Sequence, residues 1–449
     1  MVSSVFQMVK RYFSPIDEEE IGHVSFFFRR CAQLGLAIFF ATLFVPLKIS
    51  VYEVSFFATG DSSPYQHFFL YFSDIFFLIG LLCIGLSLFF DASRARSLRW
   101  GNAPILFFWL ALLTLGELSL VFSVDRVLSF LLVLRLIQGF LLYLLVIHEV
   151  LPLRTMFLIL AFGLAGESVL GIAQYLNGGS VGLSFLGEAP LSTAISGVST
   201  LTMSGQKILR AYGTFPHPNI FAAYLLVGFF AVKNLYMREP YRYGVIVVLL
   251  CLAFLVTFSR TAFFAGLVAY GIYYGMTKRR LGFKAMATLG LVLLLFLTSL
   301  NIGGFLLERM KFQDTQALQF RAENVTDGIR LLMSHPFGVG LGESSTALQS
   351  VVSEKLSPWE YQPAHNLFLV VSNELGLLGL ALYLFLFGYI LTQLYRRRRN
   401  SPQVFVLWVS VSILSLSDHY FFSLYHGWIL FAVLVAIASY TLEESVSAA

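Results

Sequence analysis

"HNLFLVVSNELGLLGLALYLFLF" occupies residues 365–387, and its reading settles the fold class. Beyond His365 and Asn366 the side chains are almost all apolar, with Ser372, Asn373 and Glu374 the polar interruption. A helix that crosses a bilayer needs about 20 such residues. Similar runs lie near 31–48, 67–90, 103–122, 127–148, 155–176, 217–236, 243–257, 261–276, 285–303, 366–393, 402–417 and 426–441. A strand of a membrane barrel alternates apolar and polar residues over ~10 positions, whereas "LVLLLFLTSL" (291–300) is nearly continuous. The expected fold is therefore an all-α polytopic membrane protein with about twelve transmembrane helices.

Composition agrees. Of 449 residues, 57% are hydrophobic and 12% charged, against roughly 25% charged in soluble domains. Cys31, Cys83 and Cys251 fall inside spans without metal-ligand spacing and read as small buried apolar residues. Residues 1–30 carry Lys10, Arg11, Arg29, Arg30 and the acidic run Asp17–Glu20, with no small-residue cleavage site, so no signal peptide is expected. "MVSSVFQMVKRYF" (1–13) reads either as a surface-lying amphipathic helix or as a frayed terminus.

Charge sets the orientation. With the N-terminus in the cytoplasm, inside segments collect nineteen Lys and Arg and the short outside loops five: Lys48, Arg126, Lys207, Arg210 and Arg260. Positive residues favour the cytoplasmic side, which places both termini inside. The net charge of +5 then reflects membrane orientation, and no nucleic acid is expected as a partner. The chain divides into a cytoplasmic segment 1–30, nine spans over 31–303, a long outer loop 304–365, three spans over 366–441 and a cytoplasmic tail 442–449. The outer segment 177–213 is rich in Gly and Ser and reads as irregular. In the long loop, 317–335 reads as a helix with Phe320, Ile329, Leu332 and Met333 along one side. A long loop with its own helix suits a lid or binding element.

This topology puts "RAYGTFPHPNIFAAYLL" (210–226), "TFSRT" (257–261) and "PAHNLF" (363–368) on one face of the membrane. Arg260 stands between two apolar runs. An arginine at a helix centre costs roughly 2.5–3.5 kcal/mol on insertion scales, less near the interface. Arg260 either snorkels to headgroups or aims a guanidinium into a cavity that holds an anion. The same alternatives apply to Arg210. Pro218 suits a first helical turn, whose free N–H groups favour negative charge. His217, between two prolines, reads as structural at that helix start. His365 reads as a polar cap or a functional group, and Asn366 is placed to orient its ring. Glu374, two to three turns below, needs a partner or an aqueous pocket. Asp74, Arg135, Glu167 and Gln174 read as internal packing pairs. Asp418, in the outer loop "SLSDHYFFSLYHGW" (415–428), is placed to orient an arginine or His365. "GVGLGES" (338–344) lacks a preceding strand and a lysine, so it is not a nucleotide loop. No Asp-x-Asp pair stands in an outer loop, so neither a metal nor another cofactor is indicated.

"GTFPHPNIFAAYL" (213–225), "FSRTAFFAG" (258–266), "GIRLLMSHPFGVGLG" (328–342) and "HNLFLVVSNELGLLGL" (365–380) resemble the O-antigen ligase and O-antigen polymerase superfamily. The resemblance spans about 200–380, while the first five spans match only in hydropathy. It implies a family C glycosyltransferase type of fold, with about twelve spans and a long periplasmic loop between spans nine and ten. It implies a bacterial inner-membrane enzyme of lipopolysaccharide or cell-envelope polysaccharide biosynthesis, with its active site facing the periplasm. The donor would be a glycan on undecaprenyl or another polyprenyl diphosphate, and the acceptor a hydroxyl on a glycan or lipid-linked partner. Arg210 and Arg260 match arginines linked to the carrier diphosphate, and His365 matches an essential histidine at the end of the long loop. Asp418 resembles a late outer-loop acid only loosely. Ligase is the favoured reading, polymerase the alternative with the same donor, and a lipid-linked glycan transporter the remote one. A transporter predicts matched halves with broken helices, and the sequence displays no such halves.

Overall fold

The computed structural model describes residues 22–54, 65–91, 98–195, 197–203, 205–277, 314–352 and 361–447. Fourteen helices and two short hairpins form the described part. The order is α1 (His23–Thr42), β1 (Lys48–Glu53), β2 (His67–Tyr71), α2 (Phe72–Phe90), α3 (Ala103–Ser119), α4 (Arg126–Ile147) and α5 (Leu153–Asn177). Next come β3 (Thr200–Met203), β4 (Gln206–Leu209), α6 (Pro218–Arg238), α7 (Pro240–Val256), α8 (Arg260–Thr277) and α9 (Asp314–Ser334). The chain ends with α10 (Ser344–Ala347), α11 (Leu367–Arg396), α12 (Pro402–Ser417), α13 (Tyr420–Ser423) and α14 (Tyr425–Ser447). Six of these helices are long and apolar enough to cross a membrane, and α3, α6, α7 and α12 contribute shorter apolar segments. With α8, eleven of the expected spans have a helix. The span expected at 285–303 and the segment 1–13 lie outside the described residues.

The protein is an all-α polytopic membrane protein. Its outward face is apolar, with Leu78, Leu82, Val245 and Leu378 exposed, as lipid contact requires. Its interior is aromatic: Trp109 of α3, Trp408 of α12 and Phe421 of α13 are fully buried. Trp109 meets Trp428 edge-on with ring centroids 5.7 Å apart.

Several expectations need correction. Residues 67–71 pair with 48–53 in an antiparallel hairpin, so the second span starts at Phe72. Hydropathy cannot separate an apolar strand from a helix turn. The segment 177–213 is ordered by a second hairpin. It is also held by Glu188, whose carboxylate accepts Val181, Gly182 and Leu183 N–H at 2.6–2.9 Å. Of the cysteines expected to be buried, Cys251 is exposed and Cys31 and Cys83 are half-buried. On α9, Leu331 is fully buried while Ile329 and Met333 face outward. The contact face is set by Gly328, where an added Cβ would meet Leu369 Cδ2 at 2.8 Å, so the flat side of the helix lies against α11.

The loops gather at two ends. At one end the β1–β2 hairpin touches the start of α4, with Tyr52 donating to Asp125 at 2.8 Å. Thr214 donates to the Phe44 carbonyl at 3.2 Å there. At the opposite end Tyr143 donates to the Trp100 carbonyl at 3.1 Å, and Arg397 donates to the Leu442 carbonyl.

One break in a span shapes the first end. Gly376 in α11 has φ 72° and ψ −170°, a conformation that favours glycine. The break frees backbone groups that lipid cannot satisfy. The loop after α9 takes them: Val339 N–H donates to Asn373 O at 2.9 Å and Gly340 N–H to Glu374 O at 3.1 Å. Leu377 N–H in turn donates to Pro336 O at 3.0 Å. The Glu374 carboxylate accepts Gly342 N–H and Ser344 Oγ, both at 2.7 Å. "HPFGVGLGES" is thus a clasp on the broken helix.

Gly376→Ala should lower the stability of detergent-purified protein by about 1–3 kcal/mol, the range for one strained backbone residue. Gly388→Ala, where an added methyl meets nothing within 4 Å, should leave it unchanged. Thermal unfolding followed by tryptophan fluorescence checks both, and equal midpoints for the two variants would remove the break from the account.

Candidate active site

The site starts from "RAYGTFPHPN". Two polar residues of α5 fix this segment. The Glu167 carboxylate accepts Thr214 N–H at 2.6 Å and Thr214 Oγ1 at 3.0 Å. Gln174 Oε1 accepts Gly213 N–H at 2.9 Å and its Nε2 donates to Gly213 O at 2.9 Å. Gly213 has φ 62°, and a side chain there would run into Glu167. Glu167 and Gln174, expected as packing partners of other spans, instead hold this turn. Pro218 opens α6, and His217 Nδ1 accepts the Asn219 N–H at 3.1 Å.

The turn delivers Arg210 into protein rather than lipid. Its Nε donates to Thr257 O at 2.7 Å, one terminal nitrogen to Ser199 Oγ at 2.8 Å, and the other to Asn219 Oδ1 at 2.9 Å. Thr257 ends α7, three residues before Arg260. The link is doubled by Ala211 N–H on Val256 O at 2.9 Å. Phe258 turns the chain with φ 48°, and Arg260 begins α8 as an exposed residue behind buried Ser259. The segments that carry the two arginines are therefore joined.

Asn219 extends the connection. Its Nδ2 donates to Asp418 Oδ2 at 3.2 Å. Asp418 Oδ1 lies 3.8 Å from His365 Nδ1 and accepts the His419 N–H at 2.9 Å. Asn366 caps α11 by accepting Leu369 N–H at 3.0 Å, and it donates to the Leu416 carbonyl at 3.0 Å. The loop before α11 is thereby fastened to the end of α12. A continuous path, Arg210–Asn219–Asp418–His365, joins three segments that are far apart in sequence. Glu374 serves the clasp described above, its carboxylate accepting from Gly342 N–H and Ser344 Oγ.

Burial would raise the Asp418 carboxyl. The His365 contact and the His419, His365 and His217 imidazoles outweigh it and hold that carboxyl well below the usual carboxylate range. Burial pushes His419 down to about 4, opposed by Asp418 and reinforced by His365. Its ring lies 5.8 Å from that of His365 and 5.7 Å from that of Tyr65. The ligand atoms of His365, Asp418 and His419 all lie within 4.8 Å of one another. Two imidazoles and a carboxylate are also a donor set for a divalent cation.

Residues 245–384 match the family model described as O-antigen ligase. The match covers 140 of the 449 residues and makes this segment similar to O-antigen ligases. The matched segment runs from α7 into α11 and contains Arg260, His365 and the clasp. Arg210, Asn219 and Asp418 stand outside it and reach the matched segment through the contacts above. No curated protein matches the chain. The chain is thus a multi-pass membrane protein with a segment similar to O-antigen ligase.

Sequence reasoning missed Asn219, Ser199, Tyr65 and the place of His419. Asn219 had a signal: it is a polar residue in the first turn of an apolar helix.

His419 binds fewer protons folded than unfolded between its depressed value and about 6.5. Stability present above pH 6.5 should therefore fall as pH drops through that window, by at most about 1.4 kcal/mol per pH unit for one group. Thermal midpoints between pH 7 and 5 should decline, and His419→Gln should flatten the decline. An unchanged slope in the variant would show that another group sets it.

Proposed function

We propose that the protein transfers a glycan from a polyprenyl diphosphate to an acceptor hydroxyl at the periplasmic face of the bacterial inner membrane. The reading is of ligase type, with inversion at the anomeric carbon and without a metal. The observation that carries it is the path from Arg210 through Asn219 and Asp418 to His365. It brings a permanent cation and an imidazole to one end of the bundle, beside the turn that starts α8 at Arg260.

Each group then has a task. His365 presents Nδ1 to Asp418, which leaves Nε2 to take the proton of the acceptor hydroxyl. The acceptor oxygen attacks the anomeric carbon, and the bond from that carbon to the diphosphate oxygen breaks. The leaving diphosphate keeps the electron pair. Charge that builds on it is met by Arg260, whose forked donors suit phosphate oxygens, and by the Arg210 charge anchored nearby. Donors placed before the reaction need no rearrangement as that charge develops. The leaving diphosphate needs no protonation, so one base suffices. The positive-inside count supports both termini in the cytoplasm and this end in the periplasm.

Two other readings have support. A polymerase would use the same donor and groups with a second carrier-linked repeat as acceptor. The His365, Asp418 and His419 cluster also supports a metal-assisted variant: these three residues would hold a divalent cation that would acidify the acceptor hydroxyl, its proton passing to water.

Transfer by purified protein from polyprenyl-diphosphate glycan to lipid A core, or to a second carrier-linked repeat, tests the proposal. His365→Ala should lower turnover by about 10²–10⁴, and Arg260→Ala by about 10²–10³. Arg260→Lys should remain poor, because a point charge cannot fork onto two oxygens. Wild-type turnover in either alanine variant would reject the assigned role. Chelator should leave the rate intact, and a loss restored by added cation would favour the metal reading. Use of only the second acceptor would make the enzyme a polymerase.

A further inference from the structure

At the end of the bundle opposite Asp418, the described structure holds a second site that glycosyl transfer does not use. The start of α1, the end of α2, the segment before α3 and the end of α4 enclose a crevice of about 450 Å³. Ile84, Leu88 and Leu144 line it together with Arg29, Arg99 and His148. Arg29 Nε is buried and has no hydrogen-bond partner among the described residues. Leaving a buried donor unmet costs about 1–3 kcal/mol, more for a charged group. His148 hydrogen-bonds to the Arg99 backbone, which ties the end of α4 to the segment that carries the second guanidinium. Glu443 is an acid in electrostatic reach of Arg99.

Two permanent cations beside apolar helix walls ask for a ligand that is anionic at one end and apolar along its length. A free phosphate would satisfy the arginines and leave the leucine wall uncovered. A zwitterionic lipid would bring its own cation to the arginines. The charge pattern puts this end at the cytoplasmic leaflet, where basic pockets between helices take anionic headgroups. We propose that the crevice binds one anionic phospholipid, with its phosphate at Arg29 and Arg99 and an acyl chain along Ile84, Leu88 and Leu144. The site is independent of the glycosyl-transfer proposal and shares no residue with it.

Native mass spectrometry of delipidated full-length protein, with phosphatidylglycerol, phosphatidylcholine or inorganic phosphate added back, tests this. One phosphatidylglycerol should be retained at least ten-fold better than phosphatidylcholine. The double variant Arg29→Gln/Arg99→Gln should lose that preference. Leu88→Trp, which keeps both arginines and fills the crevice, should lower phosphatidylglycerol retention by a similar factor. The wild-type comparison of the two lipids needs no variant to fold. Equal retention of both lipids, unchanged retention in monodisperse variants, or displacement of phosphatidylglycerol by millimolar inorganic phosphate would each overturn the proposal.

Discussion

A carboxylate that is only 14% exposed at the end of an apolar bundle has to be paired, and Asp418 is paired on three sides. It meets His365 before α11, Asn219 in the first turn of α6 and the backbone of His419 in its own loop. Removing one partner of a buried charge costs several kcal/mol, so this one group fixes the relative placement of three helix ends. Arg210 joins through Asn219, and the turn before Arg260 joins through Arg210. The candidate active site is in this sense the satisfied environment of one acid.

The same constraint explains the polar residues buried within the spans. Most of those described in detail hold irregular backbone at that end. Glu167 and Gln174 hold Gly213 and Thr214, and Glu374 holds residues 342–344. Arg135 pairs with Asp74 at 2.8 Å and donates to the Phe69 carbonyl, while Tyr425 donates to Asp74 at 2.8 Å. Asp74 and Arg135 thus unite α2, α4, β2 and the start of α14, just past the loop that carries Asp418 and His419. The proposed reactive groups stand in loops or, for Arg260, at the first residue of a helix, and rigid helices carry the groups that position those segments.

Much of this was legible in the sequence for definable reasons. Continuous apolar runs fixed the class, and eleven expected spans have a helix, because period and length speak clearly in long segments. The hairpin at 67–71 was not legible, since an apolar strand paired outside the bilayer has the hydropathy of a helix turn. The buried face of α9 was misjudged because Gly328 and Leu331, not Ile329 and Met333, make the contact. Arg260 and His365 stood out as polar groups at the mouths of apolar helices, and both lie in the matched O-antigen ligase segment. Asn219 and the clasp at Gly376 did not stand out. Their meaning depends on partners about 200 and 40 positions away, which no local pattern announces.

The central claim is that both arginines address one diphosphate while His365 faces the acceptor in the same cavity. A cryo-electron-microscopy structure of the purified protein with bound polyprenyl diphosphate tests it most directly. The account predicts phosphate oxygens about 2.7–2.9 Å from the Arg260 guanidinium, with His365 facing the same cavity and the prenyl chain running toward lipid. A diphosphate bound at the other end of the bundle, or Arg260 extended among acyl chains while the ligand is present, would contradict it.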